Sequence, residues 1–68
     1  MDNNNVLLIR KNGEYLVALP YSDTFFIRWS TSPYDGARLH RRSTAKKVAN
    51  RVGGIVCEFN PLNGTVIL

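Results

Sequence analysis

The chain has 68 residues, of which 44% are hydrophobic and 21% charged, and its formal net charge is +4. This is globular composition near the size at which one core barely suffices, so it excludes a disordered chain and implies a single domain over residues 1–68. No run approaches the ~20 apolar residues of a membrane span, and Met1–Glu14 lacks the basic lead, apolar core and cleavage site of a secretory signal. A cytoplasmic protein is expected, and the lone cysteine, Cys57, fits a reducing compartment and excludes an internal disulfide.

Met1–Asn5 is polar and reads as a frayed end. Val6–Arg10 and Tyr15–Leu19 are apolar, β-favouring runs on either side of Lys11-Asn12-Gly13-Glu14. Asn-Gly supplies the two positive φ angles of a type I′ turn, so this stretch predicts a hairpin. A two-residue loop sets Lys11 opposite Glu14, Ile9 opposite Leu16 and Leu7 opposite Ala18 on one side. Arg10 then faces Tyr15, and Leu8 faces Val17, on the other. Both sides are apolar, which points to a second contact surface or a homodimer, or else to ordinary exposed leucine and valine.

Pro20 ends the second run because it has no N–H for a ladder, and Tyr21-Ser22-Asp23 makes a turn. Phe25–Ser30 is the third predicted strand, with Phe25, Ile27 and Trp29 toward the core and Phe26, Arg28 and Ser30 away from it. A core this small needs large side chains; Trp29 or Phe26 as a base-stacking platform is the weaker reading. Thr31–Gly36 is a loop. Ala37–Arg42 reads as a short extended stretch in which Ala37 and Leu39 turn inward while Arg38, His40 and Arg41 face out.

Ser43 or Thr44 can cap a helix, and Ala45, Val48, Ala49 and Val52 recur at i, i+3, i+4 and i+7 on one face. Gly53 and Gly54 stop it. Ile55–Phe59 follows as a strand, with Ile55, Cys57 and Phe59 alternating with Val56 and Glu58. Cys57 reads as a small core side chain. Asn60–Gly64 is a turn, and Thr65–Leu68 returns to pair with Ile55–Phe59. The order is β-β-β-α-β-β, an α+β domain with one helix packed on one face of a single-layer, mainly antiparallel sheet. The small Ala45 and Ala49 bring that helix close, over Phe25, Ile27 and Trp29.

Chemistry is scarce. The only histidine, His40, stands among Arg38, Arg41 and Arg42 with no carboxylate near it in sequence, so no nucleophile, base and orienting group assemble. No metal-ligand spacing exists, and Gly53-Gly54 follows a helix, whereas a phosphate-binding glycine loop precedes one. No enzyme, cofactor, metal or small-molecule substrate is expected.

The charge distribution is what remains. Between Asp35 and Glu58 there is no acid, while Arg38, Arg41, Arg42, Lys46, Lys47 and Arg51 all fall inside. None of the helical cations has an acidic partner at i±3 or i±4. Arginines ahead of a helix start and unpaired backbone N–H groups there can share phosphate oxygens. Two classes of function stand open: nucleic-acid binding through these six residues, or a protein-interaction module that grips an acidic host protein or self-associates through the hairpin. Lys11, out in the hairpin turn, is expected to be a bystander to the nucleic-acid site.

Within DGARLHRRSTAKKVANRVGGIVCEF, the string Asp35, Ala37, Leu39, Ala45, Val48, Ala49, Gly53, Gly54 and Val56 resembles a pattern in small uncharacterised phage and prophage proteins of Gram-positive bacteria. The resemblance implies a phage accessory protein in the cytoplasm of a bacterial host and supplies no active site. This chain departs from the pattern by Gly36 between Asp35 and Ala37 and by its density of arginine.

Overall fold

Asn12 and Gly13 have φ angles of 53° and 79°, the two positive dihedrals of a type I′ turn, and the turn closes with Lys11 opposite Glu14 and Arg10 opposite Tyr15. The computed structural model describes residues 4–17 and 27–68. The elements are β1 (Val6–Lys11), β2 (Glu14–Leu16), β3 (Trp29–Ser30), a 3-10 turn (Pro33–Asp35), α1 (Arg42–Val52), β4 (Ile55–Asn60) and β5 (Thr65–Ile67). All pairings are antiparallel, in the order β3-β2-β1-β4-β5. The fold is therefore α+β with a single sheet, as expected.

The hairpin departs from its expected register after two rungs. Leu7 N–H donates to Leu39 O at 2.9 Å and Leu39 N–H to Leu7 O at 2.9 Å, so Leu39 takes the place opposite Leu7 that the hairpin pattern gives to Ala18. The end of β2 is also engaged elsewhere: Ala37 N–H donates to Leu16 O at 2.8 Å and Val17 N–H to Arg28 O at 2.8 Å. The rung between Leu8 and Val17 is not among those formed. A leucine arriving from the loop contributes a larger apolar side chain to the core than alanine does. Ala18, Leu19, Pro20, Tyr21-Ser22-Asp23, Phe25 and Phe26 lie outside the described residues. The third strand is described over only two residues, and Ile27, expected in the core, is 42% exposed.

Both faces of β1 are buried: Leu7, Leu8 and Ile9 in succession are almost inaccessible. On one face, Leu7, Ile9 and Leu16 meet Leu39 and the Ala45, Ala49 and Val52 stripe of α1, with Trp29, Val48 and Val56 at the margin. The helix lies over β1 and β4; of the three residues expected beneath it, Trp29 reaches the margin of this core, Ile27 is exposed and Phe25 is outside the described residues. The short Gly53-Gly54 link returns the chain beside α1 as β4, next to the central strand β1. On the other face, Leu8, Tyr15, Cys57 and Phe59 form a second cluster. The 3-10 turn closes it. Tyr34 stands edge-on to Phe59 with ring centroids 5.0 Å apart, and Gly36 packs so tightly on Leu8 that a Cβ would lie 3.1 Å from a leucine methyl. The apolar hairpin face that pointed to a second contact surface or dimer is thus covered by the chain itself.

Two helix-end expectations change. The N-cap is Arg41, with no side-chain cap bond, and Ser43 and Thr44 lie inside the first turn. The Leu7–Leu39 bridge holds the backbone extended through Arg41, so helical dihedrals begin at Arg42, ahead of either hydroxyl. At the other end Gly53 is left-handed, with φ of 74°, as a helix stop requires. Asn5, expected in a frayed end, is half-buried, and its Nδ2 donates to Glu58 Oε1 at 3.3 Å.

Candidate polyanion-binding face

The buried alanine stripe fixes how α1 is rolled against the sheet, and that roll distributes the cations. At about 100° per residue, Ala45, Ala49 and Val52 point down, Arg42, Lys46 and Asn50 follow one flank, and Lys47 and Arg51 run along the outer surface. The Arg42–Lys46–Asn50 flank is the one beside β4: it lines one groove with Gly54, Ile55 and Val56, and Arg42 lies 3.6 Å from Glu58. Arg38, His40 and Arg41 project from the extended lead-in while Leu39 between them is buried, as the alternation predicts. All six candidate cations, Arg38, Arg41, Arg42, Lys46, Lys47 and Arg51, are solvent-exposed.

Glu58 is the residue that sequence reasoning missed. Its Oε2 lies 3.6 Å from Arg42, and its side chain is 27% exposed. Among the described residues this is the one ion pair that involves the six cations. The available signal was the alternation in β4, which sets Glu58 with Val56 on the helix side, together with the tight glycine link. Because that link reverses the chain, the far end of β4 must come back beside the start of α1.

Lys11 is not the remote bystander expected of it. Its Nζ donates to Val52 O at 3.1 Å and lies 6.0 Å from the centre of the Trp29 ring. Trp29 is half-buried against the helix-side core, which favours the packing role over the stacking one. Cys57 belongs to the opposite face of the sheet and is 2% exposed. Burial pushes its thiol above the usual range, against smaller downward pulls from the Arg10 charge and a hydrogen bond with the Leu8 backbone. That is the behaviour of a core residue, not of a reactive thiolate.

Beside the basic flank runs a shallow groove. Arg42, Lys46 and Asn50 form one wall, and Ala49, Gly54, Ile55 and Val56 complete it. Among the described residues no three His, Cys, Asp or Glu side chains converge as a metal set, and no helix is long and apolar enough to cross a membrane. No protein-family model, curated protein or solved structure matches this chain.

Proposed function

We propose that this chain is a non-enzymatic accessory protein of phage type that binds nucleic acid through Arg38, Arg41, Arg42, Lys46, Lys47 and Arg51. The observation that supports the reading is the segregation of charge: six exposed cations on one loop and helix, met by a single carboxylate, Glu58, among the described residues. Local stability does not account for it. The helix forgoes the ~0.2–0.5 kcal/mol that each i,i+4 acid–base pair contributes. Arg41 and Arg42 sit at the end of α1 where the macrodipole disfavours cations by ~0.3–1 kcal/mol. A polyanion reverses both penalties. Phosphate oxygens take up the cations, and the unpaired N–H groups of the first turn add to the field. Contacts of this kind are tolerant of base sequence and steep in salt. The protein's working place is then the cytoplasm of a bacterial host.

The test is binding of a short DNA duplex across a salt series. Arg41→Gln with Arg42→Gln should weaken binding and lower the log–log salt slope by about one to two, each phosphate contact contributing ~0.9. Arg28→Gln, an exposed cation beside β3, is the control and should do neither. Equal losses from both would mean diffuse attraction without a site. No binding by the unmodified protein at low salt would end the nucleic-acid reading.

A further inference from the structure

We infer that α1 enters the major groove of B-form DNA, with Lys47 and Arg51 at the base edges and Arg38, Arg41, Arg42 and Lys46 on the bordering phosphates. The inference rests on the nucleic-acid reading above and names the form of nucleic acid that this face takes. It begins with how the helix is seated. Ala45, Ala49 and Val52 sink into the core against β1 and β4. Of the other residues of α1 only Val48 is half-buried, and the rest are exposed. Thr44 and Asn50 lie on opposite sides of Lys47, each about 60° around the helix axis from it. Both are exposed, so the outer half of the helix stands clear of the sheet as a convex ridge.

The dimensions of that ridge select the groove. Its eleven residues span about 16 Å, and a helix with its side chains is about 10–12 Å across. The major groove of B-DNA is about 12 Å wide and about 8.5 Å deep and admits such a helix, whereas the minor groove, about 6 Å wide, does not. Lys47 and Arg51 are one turn apart, a rise of about 6 Å that covers about two base-pair steps. Either can donate to O6 and N7 of guanine. Ser43, Thr44 and Asn50 beside them add hydrogen-bonding groups, and α1 carries no carboxylate to repel the backbone. Arg42 and Lys46 stand on the β4 flank, and Arg38 and Arg41 project from the lead-in. With the ridge seated, these four fall at the rim of the groove, where the phosphates are.

Other nucleic acids fit this face less well. An RNA duplex carries a comparable backbone charge, but its A-form major groove is deep and narrow and closed to side chains. Single strands are held in a basic groove with aromatic side chains on which the bases stack. The outer surface of α1 is convex and bears no aromatic residue.

The test compares a short mixed-sequence DNA duplex with the RNA duplex of the same sequence and with one DNA strand alone, all at one salt concentration. The DNA duplex should bind about tenfold or more tightly than the RNA duplex. Dimethyl sulfate methylates guanine N7 in the major groove and adenine N3 in the minor groove, and bound protein should protect N7 while leaving N3 open. Lys47→Gln with Arg51→Gln, both at exposed positions, should bring the DNA-to-RNA affinity ratio toward one, whereas Arg41→Gln with Arg42→Gln should weaken both duplexes alike. Equal affinity for the two duplexes, tighter binding of the single strand, or protection of adenine N3 in place of guanine N7 would overturn the inference and leave the phosphate reading standing. An unchanged ratio in the Lys47 and Arg51 variant would overturn their assignment to base edges. Failure to bind any of the three at low salt would end the phosphate reading itself, and this inference with it.

Discussion

Lys11 Nζ donates a hydrogen bond to the carbonyl oxygen of Val52 at 3.1 Å, fastening the first hairpin turn to the last turn of the helix. That carbonyl is one of the four a helix leaves unpaired at its C-terminus, where a cation also gains from the macrodipole. Lys11→Met keeps the aliphatic stem over Trp29 and removes the donor. It should cost about 1 kcal/mol, read as a melting temperature lower by about 4–8 °C in a domain of this size. An unchanged melting point would show that the bond contributes nothing net. For binding studies the consequence is practical: Lys11 is no neutral control.

Gly53 and Gly54 fail on substitution for different reasons. Gly53 needs a positive φ, and a Cβ there would meet only ordinary contacts. Asparagine tolerates that conformation, so Gly53→Asn should be mild. At Gly54 a Cβ would sit 2.9 Å from the Arg10 carbonyl oxygen and 3.0 Å from Ile9 Cγ2. The backbone has little room to retreat, because the next residue, Ile55, is paired with Arg10. Gly54→Ala should cost roughly 1–3 kcal/mol in urea unfolding. Equal effects of the two changes would place the constraint in dihedrals alone.

Glu58 sits against the basic face as an internal competitor for Arg42. Their side chains are 27% and 52% exposed, and a pair that open contributes about 0–1 kcal/mol to stability. Glu58→Gln should therefore leave the melting point within a few degrees while strengthening duplex binding at low salt and steepening its salt dependence. Weaker binding would mean that Glu58 positions Arg42 and does not merely compete for it.

Cys57 sets the direction of one pH effect. Its folded-state pKa is raised above the ordinary 9.0 by burial. On alkaline titration the unfolded thiol loses its proton first, so the unfolded state binds fewer protons and stability falls as pH rises. The contribution is intact below pH 9 and is lost through the raised folded value. Unfolding free energies on either side of that pH, compared with Cys57→Ala, isolate the effect. The wild-type protein should show the steeper alkaline decline, and identical slopes would remove the thiol as its source.

Short-range chemistry made much of this protein legible from its residues. Asn12-Gly13 sets the first turn, the Ala45–Val52 stripe sets the buried face of the helix, and Gly53 ends it, because each depends on dihedrals or spacings within a few residues. The run of cations from Arg38 to Arg51 was visible for the same reason. Contacts between distant segments were not. Which segment lies beside β1 decided that Leu39 pairs with Leu7. That pairing held Arg41 extended and moved the cap away from Ser43. The fold of segment 33–36 closed the second apolar face, the tight return after α1 brought Glu58 to Arg42, and the roll of the helix divided its cations between groove and outer surface. The two kinds of feature separate on physical grounds: a turn or a stripe is specified by a residue and its near neighbours, whereas a pairing across the sheet is specified by the competition among all segments able to fill the same place.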